Sequence, residues 1–119
     1  MATFRSLKQW AETRGEDLED AMIAIKFQIF RSIIVDTRVD TGRLAGGWTT
    51  TVGTPAEFSP LRLDPNYAQA ISEMTAAIIP DGLNWLTNNV VYAPVWEERD
   101  AMVARNVARI NQIIASQRV

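Results

Sequence analysis

The sequence predicts an α+β domain in which a small antiparallel sheet packs against a long N-terminal helix, a short central helix and a C-terminal helix. Three observations carry this. Apolar residues recur at helical spacing through residues 16–36; the stretches Trp48-Thr49-Thr50-Thr51-Val52 and Leu83-Asn84-Trp85-Leu86-Thr87 are β-branched, aromatic or alternating; and Val103, Val107, Ile110 and Ile114 share one helical face. At 119 residues and 47% apolar content the chain has the size and composition of one globular domain, spanning 1–119. Strand-like stretches are too few for a doubly wound sheet.

Phe4, Leu7, Trp10 and Ala11 recur at helical spacing, and Thr13 with Glu16 has the spacing of a capping box for the next helix. From there Leu18, Met22, Ile25, Ile29 and Ile33 form a stripe that Ile23, Phe27, Phe30 and Ile34 widen, so this helix is covered on more than one side, by its own domain or by another subunit. It should end near Asp36 or Thr37. A chain reversal follows, then a strand at residues 48–53 and a loop at 55–60. Asp64-Pro65 reads as a helix start, with the carboxylate as N-cap and proline in the first helical position; Pro80-Asp81-Gly82 stops that helix. A second strand covers residues 83–87 and continues or bends into Val90-Val91-Tyr92, with Asn88-Asn89 as a bulge or tight turn. The last helix begins at Pro94 or at Asp100.

Composition removes much chemistry. There is neither cysteine nor histidine, hence no Cys/His zinc site, disulfide framework, Ser-His-Asp triad or imidazole base. With 12 basic and 14 acidic residues the net charge is −2, unlike proteins whose affinity rests on neutralising phosphates. All the basic residues but Lys8 and Lys26 are arginine, the type favoured at protein interfaces. The N-terminus has no apolar run behind its charges and is not expected to be a secretory signal; residues 21–35 are interrupted by Lys26 and Arg31 and are too short to span a bilayer. A soluble protein is expected.

The most informative segment is the reversal Val39-Asp40-Thr41-Gly42-Arg43-Leu44, leading through Gly46-Gly47 to Trp48. Its local physics is that of a corner: the Asp40 carboxylate is placed to accept N–H bonds from Gly42 and Arg43, Gly42 tolerates positive φ, and Leu44 re-enters the core. Arg43 should pair with Asp40 or a helix C-terminus, or with another subunit. Among the four tryptophans, Trp48 reads as core, and Trp96 either as an interface anchor or as packing on the sheet. Asp36, Asp40, Asp64, Glu97, Glu98 and Asp100 are the remaining candidates for acid/base or metal chemistry, but their spacing favours caps and a solvated helix face. No phosphate-binding glycine loop is present.

Asp40-Thr41-Gly42-Arg43-Leu44 with Trp48, and Asn88-Asn89-Val90-Val91-Tyr92-Ala93-Pro94-Val95-Trp96-Glu97 further on, resemble the two signatures of the neck and tail-completion protein family of long-tailed bacteriophages. The resemblance implies a small α+β virion protein without enzymatic activity, cofactor or metal. Such a protein would assemble with itself as a ring, usually a hexamer, between the head connector or head-closure proteins and the tail-tube or tail-terminator proteins. DNA would pass through the channel without specific binding, with no membrane involved. The protein would be found in the neck of the virion, and in the host cytoplasm during assembly. On this reading Asp40, Thr41, Gly42, Arg43 and Trp48 form a structural corner or an interface, and Tyr92, Trp96 and Glu97 an interface. The chain departs from the family pattern twice: Arg38 stands where proline is usual, and Glu98-Arg99-Asp100-Ala101 replaces a longer loop before Met102-Val103. The alternatives are a small cytoplasmic hydrolase using the acidic residues and a regulatory protein-binding module.

Overall fold

Seven elements follow one another in the computed structural model, which describes residues 18–116: α1 (Leu18–Val35), α2 (Arg43–Gly46), β1 (Trp48–Val52), α3 (Ala68–Ala77), β2 (Asn84–Asn88), α4 (Ala93–Asp100) and α5 (Met102–Ser116). This is an α+β arrangement with a two-stranded antiparallel sheet, registered so that Trp48 faces Asn88, Thr50 faces Leu86 and Val52 faces Asn84. The helical pattern through Phe4, Leu7, Trp10 and Ala11 and the Thr13–Glu16 capping box lie outside the described residues.

The wide apolar stripe of α1 is covered in large part inside the chain, because α1 packs against both α3 and α5, although Ile23 remains exposed. Its C-terminal half gives Ile33 and Ile34 to the main core, with Leu44, Trp48, Ala70, Met74, Val90, Ala93 and Met102. Its N-terminal half forms a smaller cluster in which Ala21 and Ile25 meet Ile110 of α5. Lys26 does more than interrupt the apolar run. Its ammonium donates to the Ile79 and Gly82 carbonyls (2.7 and 3.1 Å) and to Asn84 Oδ1 (3.1 Å), fastening the turn between α3 and β2 onto α1. Partial burial lowers the Lys26 pKa, opposed by the charge of Asp81.

Three boundaries differ from the expectation. α3 begins at Ala68, not at Pro65, because Tyr67 takes a left-handed conformation (φ 63°) and 64–67 form a turn closed by the Tyr67 N–H to the Asp64 carbonyl (3.0 Å). Asp64 still caps the helix from outside it: its carboxylate accepts the N–H groups of Gln69 (3.2 Å) and Ala70 (2.9 Å). β2 ends at Asn88 and does not run into Val90-Val91-Tyr92, because Asn88 Oδ1 accepts the Val90 N–H (3.1 Å) and turns the chain into α4. The last helix is two helices, broken at Ala101 with φ 50°. Glu97 bridges that break by accepting the N–H groups of Val103 (2.9 Å) and Ala104 (3.3 Å).

Candidate protein-interaction site

Gly42 decides the corner. Its φ of +88° is one most side chains avoid, and a Cβ there would lie 2.6 Å from the Pro65 nitrogen and 2.8 Å from the Asp64 nitrogen. The close approach serves a bond: the Gly42 carbonyl accepts both the Gly46 N–H (2.8 Å), closing the single turn of α2, and the Asp64 N–H (2.9 Å). Asp40 does not do what the sequence led us to expect. It is exposed, and the N–H of Arg43 is met by the Thr41 hydroxyl (3.3 Å). Neither does Arg43 pair with Asp40; among the described residues both charges lack an ionic partner.

Behind the corner, Trp48 is 4% exposed and its indole N–H donates to Thr37 Oγ1 (2.8 Å). The Thr37 hydroxyl donates in turn to the Ile33 carbonyl (2.9 Å), and the Thr37 carbonyl accepts from the Tyr67 hydroxyl (2.9 Å). One buried threonine therefore joins the end of α1, the start of β1 and the approach to α3. Its fully paired polar atoms make the burial tolerable.

The two sequence signatures meet here. Asn88 Nδ2 donates to the Leu44 carbonyl (2.8 Å), and Gly47 is approached so closely that a Cβ would stand 2.6 Å from Asn88 Oδ1. Between Arg38, Asp40, Thr41, Gly42, Arg43 and Leu44 on one side and Tyr92, Val95 and Trp96 on the other lies an open cleft of about 340 Å³. Tyr92, Val95 and the neighbouring Val91 are all exposed, Val91 to 96%. Trp96 packs partly on the main core, with the guanidinium carbons of Arg38 and Arg99 4.4 and 5.1 Å from its ring centroid. Arg38 also binds Asp100 through Nε (3.3 Å). Glu97 lies outside this cleft, its carboxylate occupied at the start of α5.

Of the other candidate carboxylates, Asp36, Asp64 and Asp100 have structural employment as well. Asp36, at the end of α1, accepts from Arg105 Nε (3.0 Å) and Asn106 Nδ2 (2.9 Å) on α5. Burial pushes its pKa up, but the Arg105 and Asn106 hydrogen bonds and the charges of Arg105 and Arg109 outweigh this and hold it below the usual carboxylate value. Among the described residues no group of three or more acidic, histidine or cysteine side chains is placed to share a metal ion, and no helix is long and apolar enough to cross a membrane. Sequence reasoning missed Thr37 and treated Arg38 only as a departure from a pattern; neither has a spacing signal, because their partners are 11 and 62 positions away. No protein-family profile, curated protein or solved structure matches the chain.

Proposed function

We propose that this chain is a structural protein of a bacteriophage neck, forming a ring between the head connector and the tail that completes the joint and leaves a channel for DNA. The observation that carries the reading is the meeting of the two signature stretches. Asp40–Leu44 of the first stretch and Tyr92, Val95 and Trp96 of the second line one open cleft, whose chemistry suits a protein partner. Its lip is aromatic and aliphatic at Tyr92, Val95 and Val91, and Arg43 and Asp40 beside it have no ionic partner among the described residues. Interfaces characteristically combine an apolar centre with Arg and aromatic anchors and a charged rim. A net charge of −2 fits a ring whose lumen releases DNA, since many lumen-facing cations would bind phosphates. Packing on α3 and α5 covers much of the wide α1 stripe, while Ile23 stays 38% exposed beside Phe27 in an open cleft.

The test is localisation. Antibody against the purified chain, applied to particles from the phage that encodes it and viewed by electron microscopy, should mark the junction of head and tail. Deleting the gene should leave separate heads and tails that the added protein joins. Particles without the chain, or normal joining after deletion, would reject the reading in favour of a catalytic or regulatory role inside the cell.

A further inference from the structure

The two edges of the sheet are treated differently by the rest of the chain. The β1 edge is covered, with α3 packed against it, and two of its outward groups are bonded from that side: the Thr50 N–H donates to Glu73 Oε1 (3.2 Å) and the Trp48 carbonyl accepts from Arg62 (2.9 Å). Because the Thr50 N–H points away from β2, the register makes Thr49–Thr87 and Thr51–Trp85 the hydrogen-bonded pairs. Asn84, Leu86 and Asn88 therefore turn their backbone N–H and C=O groups outward on the far edge, where no other described residue bonds them. The β2 sequence Asn-Trp-Leu-Thr-Asn has no lysine or proline to blunt that edge. Beside it runs a groove of about 270 Å³ whose apolar lining includes Leu86, Ala93, Pro94, Met102 and Val103. A strand laid along β2 would satisfy the outward groups and place alternate side chains against the groove.

The opposite edge carries a segment suited to that place. Arg62 donates to the Gly46 carbonyl (2.8 Å) as well as to Trp48, which holds residues 60–63 against the outer side of β1. With Arg62 directed inward, Leu61 and Leu63 are left 87% and 58% exposed. The sheet separates these leucines from the far edge of β2, so among the described residues of one chain the two surfaces do not meet. Between copies they can, and such a contact joins unlike surfaces head to tail, the kind that closes a ring or grows a filament.

We propose that residues 60–63 of one copy add as a short strand to the far edge of β2 in a second copy, with Leu61 and Leu63 seated in the groove beside Leu86 and Val103. That the series closes into a ring rests on the neck reading; the contact itself does not. Because the chain has no cysteine, the contact can be trapped by a double substitution, Leu61→Cys with Val103→Cys, oxidised both in concentrated purified protein and in assembled particles. Head-to-tail pairing predicts a ladder of cross-linked dimers, trimers and larger species in at least one of these samples. Each single variant alone stops at the dimer, and Leu61→Asp with Leu63→Asp, both at exposed positions, leaves folding intact but lowers oligomer yield at least tenfold. A double variant that cross-links no further than the single ones in both samples, or a Val103→Cys chain captured by a different protein of the particle, overturns the proposal. Either result leaves the neck reading standing if antibody still marks the junction; a ladder from a chain absent from the junction rejects the neck reading and keeps the strand contact.

Discussion

Arg38 and Asp100, 62 positions apart, are joined by a hydrogen bond of 3.3 Å from Nε, while the same guanidinium stacks 4.4 Å from the centre of the Trp96 ring. These are the two places where the sequence departs from the pattern it resembles, arginine in place of proline and Glu98-Arg99-Asp100-Ala101 in place of a longer loop. The departures are thus in contact: the side chain that proline lacks reaches the carboxylate at the end of α4, and covers the tryptophan between them.

The coupling is measurable. Arg38 and Asp100 side chains are 54% and 22% exposed, so the ion pair itself should contribute only about 0.2–1 kcal/mol. Stacking on Trp96 adds about 0.5–1 kcal/mol, so Arg38→Ala should cost more than Asp100→Asn. A double-mutant cycle by urea unfolding should give a positive coupling that shrinks in high salt; strict additivity would show that the two side chains are neighbours without energetic consequence.

At the corner, Gly42→Ala should destabilise by about 3 kcal/mol or more, since positive φ and a clash with the Asp64-Pro65 backbone act together. Gly53 is the control. Its φ is +84° but a Cβ there would meet nothing within 4 Å, so Gly53→Ala should cost only about 1 kcal/mol. Equal melting temperatures for the two variants would remove the close approach as the cause.

How much of this was readable in advance follows from the range of each interaction. The α1 stripe, the β-branched run of β1 and the turn at Asn88 are local patterns, and they lie where periodicity and turn chemistry put them. Gly42 was readable as a positive-φ position; its contact with Pro65 was not, because nothing near Gly42 in sequence reports what lies against it. The capping of α5 by Glu97 escaped notice for a different reason. The break at Ala101 puts a non-glycine residue in the left-handed region, which propensity disfavours, and without that break Glu97 reads as a solvated position. For the cleft, each half was visible as a motif, while their apposition depends on Asn88 reaching Leu44, 44 positions away.

Ala101 offers a stabilising change. It sits at φ 50° as the cap of α4, a position where glycine carries no Cβ penalty. Ala101→Gly should raise stability by about 0.5–1 kcal/mol despite the greater freedom glycine has in the unfolded chain. Denaturant unfolding decides it; a loss of stability would mean that the Ala101 methyl group packs to more effect than the backbone is strained.

Acid should loosen the joint between α1 and α5. The folded pKa of Asp36 lies below its unfolded value, so the unfolded chain binds the proton more readily, and the contribution is present above the usual carboxylate pKa and lost as pH falls through the folded one. The Asp36 side chain is 36% exposed, so solvent screening keeps the effect modest. Asp36→Asn should melt below the parent at pH 7, and the gap between them should close as pH is lowered from 5 towards 2. A gap that stays constant over that range would assign the difference to packing instead of charge.

The cleft itself needs variants that separate folding from assembly, and Trp96 is not the residue for that. Half-buried on the core and flanked by Arg38 and Arg99, it should cost the isolated protein about 2 kcal/mol when truncated to alanine, so failed joining would be ambiguous. Tyr92 and Val95 are exposed, and the contribution of Tyr92 to the start of α4 comes from its carbonyl, which accepts from the Val95 and Trp96 N–H groups at 3.2 and 3.4 Å. Tyr92→Ala and Val95→Asp should therefore stay within about 0.5 kcal/mol of the parent in denaturant unfolding. If the cleft receives a partner, burying an aspartate or losing the aromatic anchor there should weaken association by about 2 kcal/mol or more. The readout is complementation of a phage lacking the gene: the Val95→Asp protein should fold yet leave heads and tails apart under the electron microscope. Normal yields of joined, infectious particles from both variants would show that this surface, though built by the two signature stretches, is not where the partner binds.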